Sequence, residues 1–161
     1  QVFFHAGGRG PVLDIGAGTG LCGAALAKLG VGPIDGTDIS REMLDVALRK
    51  DIYRDVFEAD VLQGLPVKEG HYLGIVSSGT FTHGHVGPEA LPELVRVIRP
   101  GGVIAISINS AHFENSGFQD MLQDRAAMIT DVSLTEVAIY GSHNTGSHAH
   151  DRALVACFTK R

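Results

Sequence analysis

The run Val12-Leu13-Asp14-Ile15-Gly16-Ala17-Gly18-Thr19-Gly20 constrains this chain more than any other segment. Pro11 opens a short apolar stretch that reads as a strand, and the stretch breaks into three alternating glycines. A helix is expected next, with Leu21, Ala24, Ala25 and Ala27 to Leu29 on its apolar side and a stop at Gly30. A strand that feeds a glycine turn and then a helix exposes bare backbone at the carboxyl end of a sheet, where a ligand can lie against it. Gly16 would make the turn, Gly18 would admit the ligand, and Gly20 would let the helix pack close. Taken alone, the triplet also fits an ordinary strand-to-helix turn.

The rest of the chain keeps the same rhythm. Strands are expected over Pro33 to Asp38, Tyr53 to Ala59, within His71 to Ser78, and over Val103 to Ile108. Ser40 is a fair N-cap for a helix with Met43, Leu44, Ala47 and Leu48 at helical spacing. A second helix is expected from Pro88 to about Arg99, ended by Pro100-Gly101-Gly102, and a third over Gly117 to Ile129. Alternation of this kind predicts an α/β fold, a doubly wound and mostly parallel sheet with helices on both faces. The rhythm then changes. Val132 to Tyr140 and Ala153 to Thr159 are strands joined by a polar loop, most simply an antiparallel pair.

The glycine spacing separates two ligand classes. A dinucleotide pyrophosphate is held by G-x-G-x-x-G at a helix N-terminus. Here the pattern is G-x-G-x-G, and Leu21 stands where the last glycine of the dinucleotide pattern belongs. S-adenosylmethionine carries no phosphate and needs a loop that wraps its methionine and ribose. Asp38, ending the second strand, can accept both ribose hydroxyls, though a charge at a helix N-terminus is an alternative reading. Asp60, ending the third, can accept from the adenine amino group or stand as a solvated loop carboxylate.

With these residues in view, the sequence resembles the class I S-adenosylmethionine-dependent methyltransferases. Within them it is most similar to the methyltransferase-like family named after the Williams–Beuren syndrome region. The likeness is carried by Val12 to Leu21, by Gly36-Thr37-Asp38-Ile39-Ser40, by Thr82-His83-Gly84-His85-Val86, and by Leu91 to Gly102. It implies a Rossmann-like sheet of seven strands whose last strand inserts antiparallel beside the fifth. It also implies S-adenosylmethionine as cofactor, wrapped by Asp14, Gly16, Ala17, Gly18 and Gly20. Asp38 would hold the ribose, Ile39 would pack on adenine, Asp60 and Val61 would read the adenine edge, and Ser78 would contact the methionine end.

The chain departs from the family in three places. Tyr72 is followed by Leu73 and Gly74, where Tyr-Asp is common. Ser77-Ser78-Gly79-Thr80-Phe81 replaces the Asn/Asp-Pro-Pro-Tyr/Phe motif of amino-group methylases. The helical segment that usually precedes Val12 and lids the acceptor site is missing, and the chain starts at Gln1 rather than Met. It therefore reads as one domain, residues 1–161, from a longer protein.

His83 and His85 follow the fourth strand on the ligand side and are the candidate catalytic bases; a neutral imidazole can take a proton near pH 7. Their bland reading is a pair of loop histidines that cap or pack. His143, His148 and His150 crowd the last loop without cysteines or carboxylates, so a mobile polar loop is expected there and no metal. Cys22, just inside the first helix, could have a lowered thiol pKa, but it reads better as a small packed residue, and Cys157 as strand core.

The net charge of −5, with 13 Lys and Arg and no basic run, argues against nucleic acid as a partner. No apolar run is long enough for a membrane span. Two cysteines without a CxxC pattern suit a cytoplasmic setting. The expected activity is methyl transfer to a small-molecule acceptor, with a homodimer as the candidate assembly. A noncatalytic S-adenosylmethionine-binding subunit is the first alternative. An NAD-dependent oxidoreductase is the second, disfavoured by Leu21 and by the lack of a Tyr-x-x-x-Lys pair.

Overall fold

Strand β1 (Val12–Ile15) is buried at every position, as a strand covered on both faces must be. Its side chains alternate between two cores. Leu13 and Ile15 join Ile75, Ile104, Ile106 and Ile108 on one face, whereas Val12 joins Val76, Val103 and Ala105 on the other. That alternation follows from the period of two along a strand. A computed structural model describes residues 1–82, 84–138 and 152–161.

The other strands are β2 (Ile34–Asp38), β3 (Asp55–Glu58), β4 (Tyr72–Phe81), β5 (Ile98–Asn109), β6 (Ile129–Ala138) and β7 (Arg152–Lys160). They form one seven-stranded sheet in the order β3-β2-β1-β4-β5-β7-β6. Neighbours from β3 to β5 run parallel, and β7 runs antiparallel to both β5 and β6. The doubly wound sheet and the inserted antiparallel last strand are thus as the sequence implied. The chain moves outward from β1 to β3 and then returns to place β4 on the other side of β1. This reversal opens a crevice at the carboxyl ends of β1 and β4.

Helices α1 (Val2–His5), α2 (Leu21–Lys28) and α3 (Arg41–Leu48) cover one face through Phe3, Leu26, Leu44 and Ala47. Helices α4 (Leu91–Val97), α5 (Ser110–Asn115) and α6 (Phe118–Asp124) cover the other through Leu91, Leu94, Phe113 and Phe118. The Ser40 cap is confirmed: its hydroxyl accepts from the Met43 amide at 3.3 Å.

Several boundaries differ from expectation. The helix expected from Pro88 to Arg99 is a 3-10 turn, Pro88–Ala90, followed by α4 ending at Val97. The helix expected over Gly117 to Ile129 is preceded by the unexpected α5 and stops at Asp124; Ile129 already belongs to β6. The buried side of α2 is Gly23 and Leu26, whereas Leu21 is 74% exposed. An alanine-rich helix offers little contrast between its faces, so its apolar side is poorly marked in the sequence.

The structure accounts for Tyr72-Leu73-Gly74. A Cβ on Gly74 would lie 2.5 Å from the Phe3 ring, so the glycine makes room for α1 on the sheet. The Tyr72 hydroxyl donates to the buried Asp35 at 2.9 Å, and Arg54 grips the same carboxylate with two bonds of 2.9 and 2.6 Å. Among the described residues, no helix is long and apolar enough to cross a membrane.

Candidate functional site

The crevice at the carboxyl ends of β1, β2 and β4 holds a cleft of about 590 Å³. That volume suits a ligand of nucleoside size. Its floor is the glycine turn. Gly16 and Gly18 both have positive φ, +66° and +54°, a region that L side chains rarely enter. A Cβ on Gly16 would run into the Thr80 hydroxyl, whereas a Cβ on Gly18 would meet nothing nearer than Met43 Sδ at 3.8 Å. Gly16 is therefore required by the packing of the turn, and Gly18 leaves the backbone open towards the cleft.

Asp38 closes the turn from β2. Its Oδ2 accepts the Gly18 amide at 2.8 Å and its Oδ1 accepts the Ser40 amide at 2.9 Å. One N–H on each oxygen fixes the plane of the carboxylate and leaves lone pairs for a diol. Beside it, Ile39, Met43 and Leu62 are exposed at 69, 47 and 39% and all lie on the cleft wall. Three exposed apolar side chains around one cleft form a surface suited to a flat apolar ring. Asp60 and Val61 stand next to them. Asp60 Oδ1 accepts the Leu62 amide at 2.9 Å and starts the 3-10 turn Val61–Gln63.

The far rim is built by a bulge in β4. Ser77 pairs with Ile106 and Phe81 with Ile108, so β4 carries extra residues between the two pairs. A bulge at a strand end re-aims side chains. Here Gly79 and Thr80 reach the cleft, while Ser78 is exposed and lies off its wall. Thr80 Oγ1 makes a long bond of 3.3 Å to the Ile15 carbonyl, which Ser77 Oγ also meets at 2.7 Å. Gly84, His85 and Val86 complete the rim. His83 lies outside the described residues, as do His143, His148 and His150. Among the described residues, no group of three or more His, Cys, Asp or Glu is placed to hold a metal.

The remaining expected residues stand behind the turn. Ala17 is buried and its amide donates to the Thr37 carbonyl at 3.0 Å. Gly20 is the left-handed N-cap of α2. Asp14 is fully buried and accepts the Tyr53 hydroxyl at 2.7 Å. Burial pushes its pKa up to about 6, against the lowering effect of the Tyr53 hydrogen bond and the nearby Gly23 amide. Cys22 does not have a lowered pKa; burial, with the Asp14 charge adding to it, pushes the thiol up to about 12.

Sequence reasoning missed Thr37, Met43, Leu62, Gly79 and Thr80 as wall residues. Thr37 is 1% exposed, and its hydroxyl has no partner among the described residues. Its position just before Asp38 was a usable signal. A cradle of bare backbone, an oriented carboxylate, an apolar slot and an unpaired buried hydroxyl together fit S-adenosylmethionine.

The model of the methyltransferase domain family matches residues 12–102. The chain belongs to that family, within the class I S-adenosylmethionine-dependent superfamily, whose cofactor is S-adenosylmethionine. It is similar to Methyltransferase-like protein 27 of Homo sapiens, at 31% identity over 117 residues, covering 71% of this chain and 47% of that protein. It is also similar to the 18S rRNA (guanine-N(7))-methyltransferase of Bos taurus, at 46% identity over 66 residues, which cover 41% of this chain and 23% of that one. The chain thus spans less than half the length of these relatives. A solved structure from work on the conversion of a disulfide bond into a thioacetal group during echinomycin biosynthesis superposes with a TM-score of 0.73. Its sequence is 26% identical, and the match covers 99% of this chain and 80% of that one.

Proposed function

We propose that this chain moves a methyl group from S-adenosylmethionine to a small-molecule oxygen, nitrogen or carbon acceptor. The observation that carries the reading is the Asp38 carboxylate, oriented by Gly18 and Ser40 beneath an apolar slot. Asp38 holds the ribose hydroxyls, Ile39 and Met43 flank the adenine, and Asp60 accepts from its amino group. Gly16 and Gly18 let the methionine end approach the backbone, with Thr37 and Thr80 offering hydroxyls beside it. When bound, the cofactor supplies a methyl group on a positively charged sulfur, already activated for displacement.

The chain's own share is then largely positioning, with a base needed where the acceptor must lose a proton. His85 stands on the rim and is a candidate for that proton, together with His83. The small-molecule reading rests on the net charge of −5 and on the likeness to the structure from echinomycin biosynthesis. RNA is the rival acceptor, because the Bos taurus relative is named as an rRNA methyltransferase. A cytoplasmic setting is supported by two free cysteines. A homodimer would use the outer strand β6, where Val132 and Leu134 are exposed, and sedimentation velocity checks it.

Calorimetric titration with S-adenosylhomocysteine, followed by an acceptor screen that reads homocysteine release after coupled hydrolysis, tests the proposal. Binding and turnover with small molecules support it. Binding with turnover of RNA alone moves the acceptor to nucleic acid. Binding without turnover of any acceptor makes the chain a noncatalytic subunit, and no binding overturns the reading.

A further inference from the structure

Tyr53 sits in the turn before β3, outside the cleft, yet four residues from the three elements around the cofactor turn close on it. Its ring lies where a Cβ on Gly20 would come within 2.9 Å and one on Gly36 within 3.0 Å, and its hydroxyl fills the space of a Cβ on Gly23. Gly20 is the N-cap of α2, Gly23 lies one turn into it, and Gly36 precedes Asp38 on β2. The hydroxyl then donates to Asp14 on β1 at 2.7 Å. The ring is part of the core between the sheet and helices α2 and α3. It also enters a slot made by three glycines, which sets the spacing of β1, β2 and α2 at the point where they carry Gly18 and Asp38.

We propose that Tyr53 is a positioning residue for the cofactor turn, its hydroxyl bond to the Asp14 carboxylate holding Gly16 to Gly20 against Asp38 in the binding shape. The inference rests on the reading of the cleft as an S-adenosylmethionine site. The ionisable groups facing Asp14 are Tyr53, Cys22 of α2 and Asp38 of β2. Burial keeps the Cys22 thiol neutral with its pKa up to about 12, the Asp38 charge repels that of Asp14, and the Tyr53 hydroxyl opposes both burial and that repulsion. Tyr53 thus favours the ionised carboxylate, and protonation of Asp14 weakens the bond that holds the turn.

The test is calorimetric titration of S-adenosylhomocysteine between pH 5 and pH 8, with thermal unfolding measured alongside to confirm folded protein. Wild-type affinity should fall severalfold as pH drops through about 6, the value near which Asp14 titrates. Tyr53→Phe keeps the ring, and should weaken binding roughly 5–20-fold at neutral pH, less than the full worth of a charge-assisted hydrogen bond because the bond acts on the ligand only through the turn. The pH step should also disappear in that variant, which has no bond for protonation to weaken, and Asp14→Asn should remove it too. Gly23→Ala, which displaces the hydroxyl from the helix side, should weaken binding in the same direction as Tyr53→Phe. Wild-type affinity in Tyr53→Phe at both ends of the pH range, whatever its unfolding temperature, would make Tyr53 core filling and overturn the proposal. No binding by wild type itself overturns the cofactor reading instead, and this inference falls with it.

Discussion

At the scale of single residues, the site is organised by the Asp38 carboxylate and, among the described residues, rimmed by the His85 imidazole. Asp38 takes two backbone amides, at 2.8 and 2.9 Å, before any ligand arrives, so its geometry is set by the fold. Asp38→Ala removes the charge-assisted acceptor and should cost about 1.5–3 kcal/mol of S-adenosylhomocysteine binding, read by calorimetry. Unchanged affinity would remove Asp38 from the site. His85 lies on the opposite rim and bonds through its backbone amide to the Thr82 carbonyl at 3.2 Å. If it takes the acceptor proton, His85→Ala should keep cofactor affinity and lose roughly 10²–10⁴-fold in turnover. Full turnover in that variant would leave positioning as the source of rate.

At the scale of elements, the site depends on two departures from regular strands. The β4 bulge after Ser77 brings Gly79 and Thr80 to the cleft, and the turn after β1 brings Gly16 beneath Thr80. Gly16→Ala combines a positive φ with a collision against the Thr80 hydroxyl, so it should abolish measurable S-adenosylhomocysteine binding. Gly74→Ala forces the Phe3 ring out of its seat on β4 at the other end of the strand. It should cost roughly 1–3 kcal/mol in chemical denaturation, typical of overpacking, while leaving cofactor affinity in place. Loss of affinity there would mean that α1 is coupled to the cleft.

At the scale of the whole molecule, Asp14 sets a stability that depends on pH. Its pKa is raised by burial from 3.8 to about 6, so the folded state binds the proton more tightly than the unfolded state does. Stability from this group is therefore greatest below its unfolded pKa and is lost as pH rises towards 6. The loss at neutral pH is roughly 3 kcal/mol at 1.36 kcal/mol per pKa unit. Asp14→Asn should gain stability relative to wild type between pH 4.5 and 7.5 in urea titrations; a difference that is flat in pH would place the titration elsewhere. The strand–turn–helix, the order of elements, the Ser40 cap, and the placing of Asp38, Ile39, Asp60 and Val61 at one crevice were legible in the sequence, because each follows from local pattern and chain order. The lengths of α4 to α6 and the buried side of the alanine-rich α2 were not, because long-range packing decided them. The bulge that brings Thr80 rather than Ser78 to the cleft depends on the register of β4 against β5. The bond between Tyr53 and Asp14 joins residues 39 apart in the chain. Only the packed sheet brings such groups within reach, since a hydrogen bond acts over a few ångströms and the sequence carries no distance between strands.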